Sequence, residues 1–131
     1  MRKVNNDIEI NITLYKILLT VYELNSMNKY PSVKGVSNVL KAHEDHETNE
    51  YVSLSTYGTL ISIQSRKFAS YVALLEKKGY LAYKYDKKTD RLYLYITPRG
   101  IDTVIKFPKE HNFKLTKKRK NLNHEIVEII D

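Results

Sequence analysis

Apolar residues recur along the chain with a helical period in five places and alternate in one. After Asn11, a good N-cap, Ile12, Tyr15, Leu19 and Tyr22 follow at helical spacing, so residues 12–25 are expected to form an amphipathic helix packed on the core. Pro31 and Ser32 begin a second helix with Val33, Val36 and Leu40 on one face, ending near Ala42. The stretch 43–51 is polar, acidic and without a period, as a solvated loop is. A short third helix is expected from Thr56 to Ile63, capped by Ser55, with Leu60 and Ile61 facing inward. A fourth runs from about Ser65 to Lys78 and stops at Gly79, which suits the left-handed C′ position.

The period then changes from 3.6 to 2. Strands are expected at 81–85 and 91–96, joined by the polar turn Asp86 to Asp90, with Leu92, Leu94 and Ile96 on one face and Tyr93 and Tyr95 on the other. Thr97 and Pro98 then supply a cap and a first-turn proline for a short helix, 98–107, closed by Pro108 and burying Ile101, Val104 and Ile105. The expected fold class is α+β: a winged helix-turn-helix with three to four helices before a two-stranded hairpin wing and a short helix after it. Winged helices commonly present a helix to a DNA groove and lay the hairpin along phosphates.

Length and composition narrow the setting. The 131 residues fit one domain, with a core at about 10–108 and a basic tail and terminal apolar segment over 109–131. There are no cysteines, which excludes disulfides and cysteine-ligated zinc and fits a reducing cytoplasm. No stretch approaches the roughly 20 apolar residues of a membrane span, so a soluble, cytoplasmic protein is expected. The net charge of +7 is uneven: residues 1–63 hold 6 Lys and Arg against 7 Asp and Glu, and residues 64–131 hold 16 against 8. The basic half is the half with the helix and hairpin pattern, and such asymmetry fits a polyanionic partner.

Candidate contacts follow from the faces of these elements. On the fourth helix Phe68, Tyr71, Val72 and Leu75 cluster on one side, and Arg66, Ser70, Ala73 and Lys77 on the other. Arg66 can fork onto a guanine edge or a phosphate, Ser70 can bond either, and Ala73 permits close approach. Ser65 and Lys67, at the helix start, are placed for phosphate. On the hairpin Lys84, Lys87, Lys88 and Arg91 surround an exposed ribbon suited to phosphate or a minor groove. The bland alternative for each is a solvated helix face or a charge-protected strand edge. Five of the 11 tyrosines lie in or beside the hairpin, where strand propensity explains most of them and base stacking is the alternative.

Other features carry less chemistry. The tail has a basic stretch, Lys114, Lys117, Lys118, Arg119 and Lys120, which fits a linker or a phosphate-binding arm. Ile126, Val127, Ile129 and Ile130 form an apolar end expected to pack on the domain or on a second copy. A homodimer would use the first helix and this end. His43-Glu44-Asp45-His46 lacks the H-E-x-x-H zinc pattern and sits in a loop. With no nucleophile elbow or paired carboxylates either, neither an enzyme, a metal nor a cofactor is expected.

Four segments together resemble a known family. Val33 to Leu40, Leu54-Ser55-Thr56-Tyr57-Gly58, Leu74 to Leu81 and Leu92 to Gly100 look like the RQC winged-helix domain of RecQ-type DNA helicases, over about residues 33–105. The Leu-Glu-Lys-Lys-Gly-Tyr-Leu and Thr-Pro-Arg-Gly pieces also occur in many bacterial winged-helix regulators. The resemblance implies duplex DNA recognition through the fourth helix and the wing. These 131 residues hold no motor and no phosphate-binding Gly-rich loop, they lack the zinc cysteines, and the wing turn has no aromatic tip. What carries over is therefore duplex binding, as a transcription regulator or DNA-maintenance accessory, without strand separation. The competing expectation is a protein–protein module that uses its exposed tyrosines and C-terminal isoleucines.

Overall fold

Three polar side chains start three of the helices, as their positions in the sequence predict. In a computed structural model that describes residues 9–42, 53–111, 115–120, 123 and 125–128, Asn11 Oδ1 accepts from Leu14 N at 2.8 Å to begin α1, Ile12–Ser26. Ser32 Oγ accepts from Gly35 N at 3.0 Å to begin α2, Val33–Leu40. Thr97 Oγ1 accepts from Gly100 N at 3.1 Å to begin α4, Pro98–Glu110, with Pro98 in the first turn. Each cap satisfies an N–H that the helix itself leaves unpaired. The other helix, α3, is Ser65–Lys77 and ends before Gly79, whose φ of +85° is the left-handed stop the sequence predicts.

The architecture is α+β. Four helices accompany an antiparallel hairpin of β1, Leu81–Asp86, and β2, Arg91–Ile96, and two short tail strands, β3 (Lys118–Lys120) and β4 (Ile126–Glu128), pair antiparallel as a second ribbon. Among the described residues three helices precede the hairpin and one follows it.

The core gathers around α1, which is buried on nearly every side. Leu14, Ile17, Leu18, Val21 and Leu24 are all buried, whereas Ile12 is 37% exposed and Leu19 and Tyr22 only partly covered. The expected stripe is thus offset: α2, α3, α4 and β2 all pack on this helix, so no single face describes it. Val36 and Leu40 of α2, Phe68, Val72 and Leu75 of α3, Leu81 and Leu94 of the hairpin and Val104 of α4 complete the cluster. Each of these side chains contributes about 1.5–3 kcal/mol when fully buried.

Three further expectations are corrected. Residues 53–62 form successive turns instead of a third helix: Tyr57 N, Thr59 N and Ile63 N bond to carbonyls three residues back, and Ser55 Oγ donates to Glu23 Oε1 at 2.7 Å instead of capping. Gly58 interrupts this run with φ +69°, a conformation a helix interior does not use. The last helix does not close at Pro108 but continues to Glu110, because Phe107 stacks on Tyr15 at 4.4 Å and on His111 at 4.0 Å, and His111 N reaches Phe107 O. Ile105 is 51% exposed on that helix, and Phe107 takes the buried place instead.

The hairpin leaves the core as it extends. The register pairs Leu81 with Ile96, Tyr83 with Leu94 and Tyr85 with Leu92, all on one face. At the base Leu81, Leu94 and Ile96 are buried, but Leu92, near the tip, is 53% exposed despite its inward alternation. The base is fixed from three sides. Leu94 N donates to Pro31 O at 2.7 Å, Ile96 N donates to Asn25 Oδ1 at 2.8 Å, and Thr97 Oγ1 donates to Gly79 O at 2.6 Å.

Candidate functional site

α3 runs through Gly79 and Tyr80 directly into β1, so the basic helix and the hairpin are covalent neighbours as well as packed ones. Burying Phe68, Val72 and Leu75 turns the opposite side of α3 outward, and Ser65, Arg66, Lys67, Ser70, Ala73 and Lys77 are all exposed. Glu76 lies close enough to Tyr83 of β1 that, after burial, its negative charge is the second cause raising the tyrosine pKa. The C-terminal half of α3 therefore stands beside the first strand, and Glu76 adds a negative charge to this otherwise basic surface near Tyr83.

Two of the α3 side chains are less free than the sequence suggests. Ser70 Oγ donates to Arg66 O at 3.1 Å, so its hydroxyl offers an outside ligand an acceptor in place of a donor. Ser65 Oγ accepts from Lys41 Nζ at 3.3 Å, which adds Lys41, at the end of α2, to the cations at the start of α3. The N-cap of α3, Gln64, makes no side-chain capping hydrogen bond to the first-turn N–H groups.

On the hairpin Lys84, Lys87, Lys88 and Arg91 are all exposed. They do not form one group. Lys84 Nζ stands 5.9 Å from the ring centroid of Tyr30, toward the α1–α2 connection, whereas Lys87 and Lys88 occupy the tip and Arg91 begins β2 opposite Asp86. The tip is ordered by its own side chains: Asp86 Oδ1 accepts from Lys88 N at 2.9 Å, Tyr85 donates its hydroxyl hydrogen to Asp90, and Thr89 and Tyr93 hydroxyls bond at 3.0 Å. The Asp90 bond, more than desolvation, raises the Tyr85 pKa.

Two clefts flank this surface. One, of about 680 Å³, is walled by Tyr22, Tyr30, Tyr83 and Tyr95 with Lys84 at its edge. The other, of about 700 Å³, lies between α1, the turns at 58–64, the start of α3 and β3, and it gathers Lys16, Lys67 and Lys118. Spacing along the chain carries no hint of it, since its three lysines are far apart in sequence. Among the described residues no group of potential metal ligands forms, and no helix is long and apolar enough to cross a membrane. His43 to His46, Lys114, Ile129 and Ile130 lie outside the described residues, as do the side chains of Arg119 and Lys120. A comparison of the chain with protein-family models, with curated proteins and with solved structures yields no match.

Proposed function

We propose that the chain is a winged-helix protein that binds duplex DNA, with α3 in a groove and the β1–β2 hairpin as the wing along the backbone. The observation that carries the reading is the joint exposure of Arg66 and Lys77 on α3 and of Lys87, Lys88 and Arg91 on the adjoining hairpin. The wiring supports it as well. The segment between α1 and α2 is stitched to β2 through Pro31 and Leu94, so the hairpin is held as an extension of the helical core. Arg66 then supplies base or phosphate recognition, Ala73 the close approach, and the tip lysines sequence-independent affinity.

The test is a mobility-shift titration with duplex, forked and single-stranded DNA at two salt concentrations. Duplex binding that weakens steeply with salt is the expected result. Equal binding of all three forms, or none, contradicts it. A second reading, a protein–protein module, is favoured by the tyrosine cleft and by Ile126, which stays half exposed on β4. Such a contact would change little with salt.

A further inference from the structure

We propose that the cleft between α1, the turns at 58–64, the first turn of α3 and β3 binds a small phosphorylated molecule. Its described lining holds three ammonium groups, Lys16, Lys67 and Lys118, from three separate elements, and no carboxylate. Hydroxyls of Thr13, Ser62 and Thr116 add neutral donors, and Tyr71 and Ile63 give part of the wall an apolar surface. At about 700 Å³ the space is of the size that holds a nucleotide-sized ligand.

Among the described residues the charges in the cleft have no counter-charge in its lining. Lys16 is half-buried and its Nζ donates to Thr59 O at 2.9 Å, which leaves two of its three N–H donors for another acceptor. Burial first, and then the positive charge of Lys118, push its pKa below the usual lysine value. Lys67 and Lys118 are exposed and make no ion pair among the described residues. The start of α3 adds to the same field, since Gln64 lines the cleft and leaves the helix N-terminus without a side-chain cap.

A phosphate, with about two negative charges, matches this arrangement better than a single carboxylate. β3 is held in place by its backbone, Lys118 N donating to Gly58 O at 3.2 Å, so the third ammonium group is presented by an ordered element. The inference does not depend on DNA binding: of the three lysines only Lys67 also belongs to the DNA-contacting set.

The experiment is calorimetric titration of the full chain with pyrophosphate, alongside anisotropy with duplex DNA, for the wild type, Lys118→Gln, Lys16→Gln and the double variant Lys87→Gln/Lys88→Gln. The expected result is saturable one-to-one pyrophosphate binding, weakened about tenfold by Lys118→Gln and by Lys16→Gln and unchanged by the wing variant. Lys118 is exposed, so its variant keeps the test valid if Lys16→Gln melts early. Absence of saturable binding, or binding indifferent to Lys118→Gln, overturns the proposal. So does a loss of DNA affinity in Lys118→Gln equal to its loss for pyrophosphate, because the cleft would then be part of the duplex contact. Failure of duplex binding with pyrophosphate binding intact would sink the DNA reading alone.

Discussion

Asn25, in the last turn of α1, holds Ile96 of β2 by a side-chain to backbone hydrogen bond of 2.8 Å from Ile96 N to Oδ1. Its amide nitrogen also donates to Lys29 O at 3.0 Å, so one side chain closes the end of the helix and fixes the base of the hairpin. Asn25→Ala leaves the Ile96 N–H without its partner. The expected cost is about 1–3 kcal/mol, read by chemical denaturation. A loss below a few tenths would show that the hairpin base is held by packing alone.

The buried hydroxyls of Thr20 and Thr56 share a hydrogen bond of 2.5 Å, and Thr20 Oγ1 also donates to Lys16 O at 2.8 Å. A hydroxyl has one hydrogen, so Thr56 is the donor in the shared bond. Thr20→Val then strands the Thr56 donor in the core, whereas Thr56→Val leaves Thr20 still bonded to the helix. The first is expected to cost about 1–3 kcal/mol and the second about 0.5–1.5 kcal/mol. The double variant should recover part of the first loss; simple additivity in denaturation would contradict the shared bond, and a larger loss in Thr56→Val than in Thr20→Val would contradict the donor assignment.

Gly58 serves a close approach. A Cβ there would lie 1.8 Å from Lys118 O, and the φ of +69° is one that residues with side chains rarely take. Gly58→Ala is expected to lose at least about 1 kcal/mol from the backbone conformation and to push β3 away. Hydrogen exchange at the Lys118 amide, which bonds Gly58 O, should accelerate. Unchanged protection would mean that β3 is not docked on this turn.

The tip of the hairpin makes a prediction about salt. If Lys87 and Lys88 lie on phosphates, changing both to alanine should reduce the slope of log affinity against log salt by about two. Stability should be unaffected, since both side chains are exposed. An unchanged slope would remove the tip from the phosphate backbone.

Locally encoded features were legible in the sequence. Asn11, Ser32 and Thr97 cap as expected, Gly79 stops α3, and the apolar face of α3 is the one its spacing marks. What escaped the sequence depends on distant partners. Ser55 has the chemistry of a cap but bonds Glu23, and the 53–62 segment is pinned by Gly58 N to Val39 O and Leu60 N to Leu40 O. Pro108 reads as a stop, yet the Tyr15–Phe107–His111 stack carries the helix past it. Of the site, the exposed basic faces were legible, whereas the Lys16–Lys67–Lys118 cleft exists only once α1, α3 and β3 are packed.

Fluorescence anisotropy of Arg66→Ala/Lys77→Ala against the wild type reads the proposed contact between the outward face of α3 and duplex DNA. Both side chains are exposed, so the melting temperature should stay the same while duplex affinity falls about tenfold or more. Equal affinity of the two proteins for the same duplex at low salt would rule out α3 as the DNA-contacting helix.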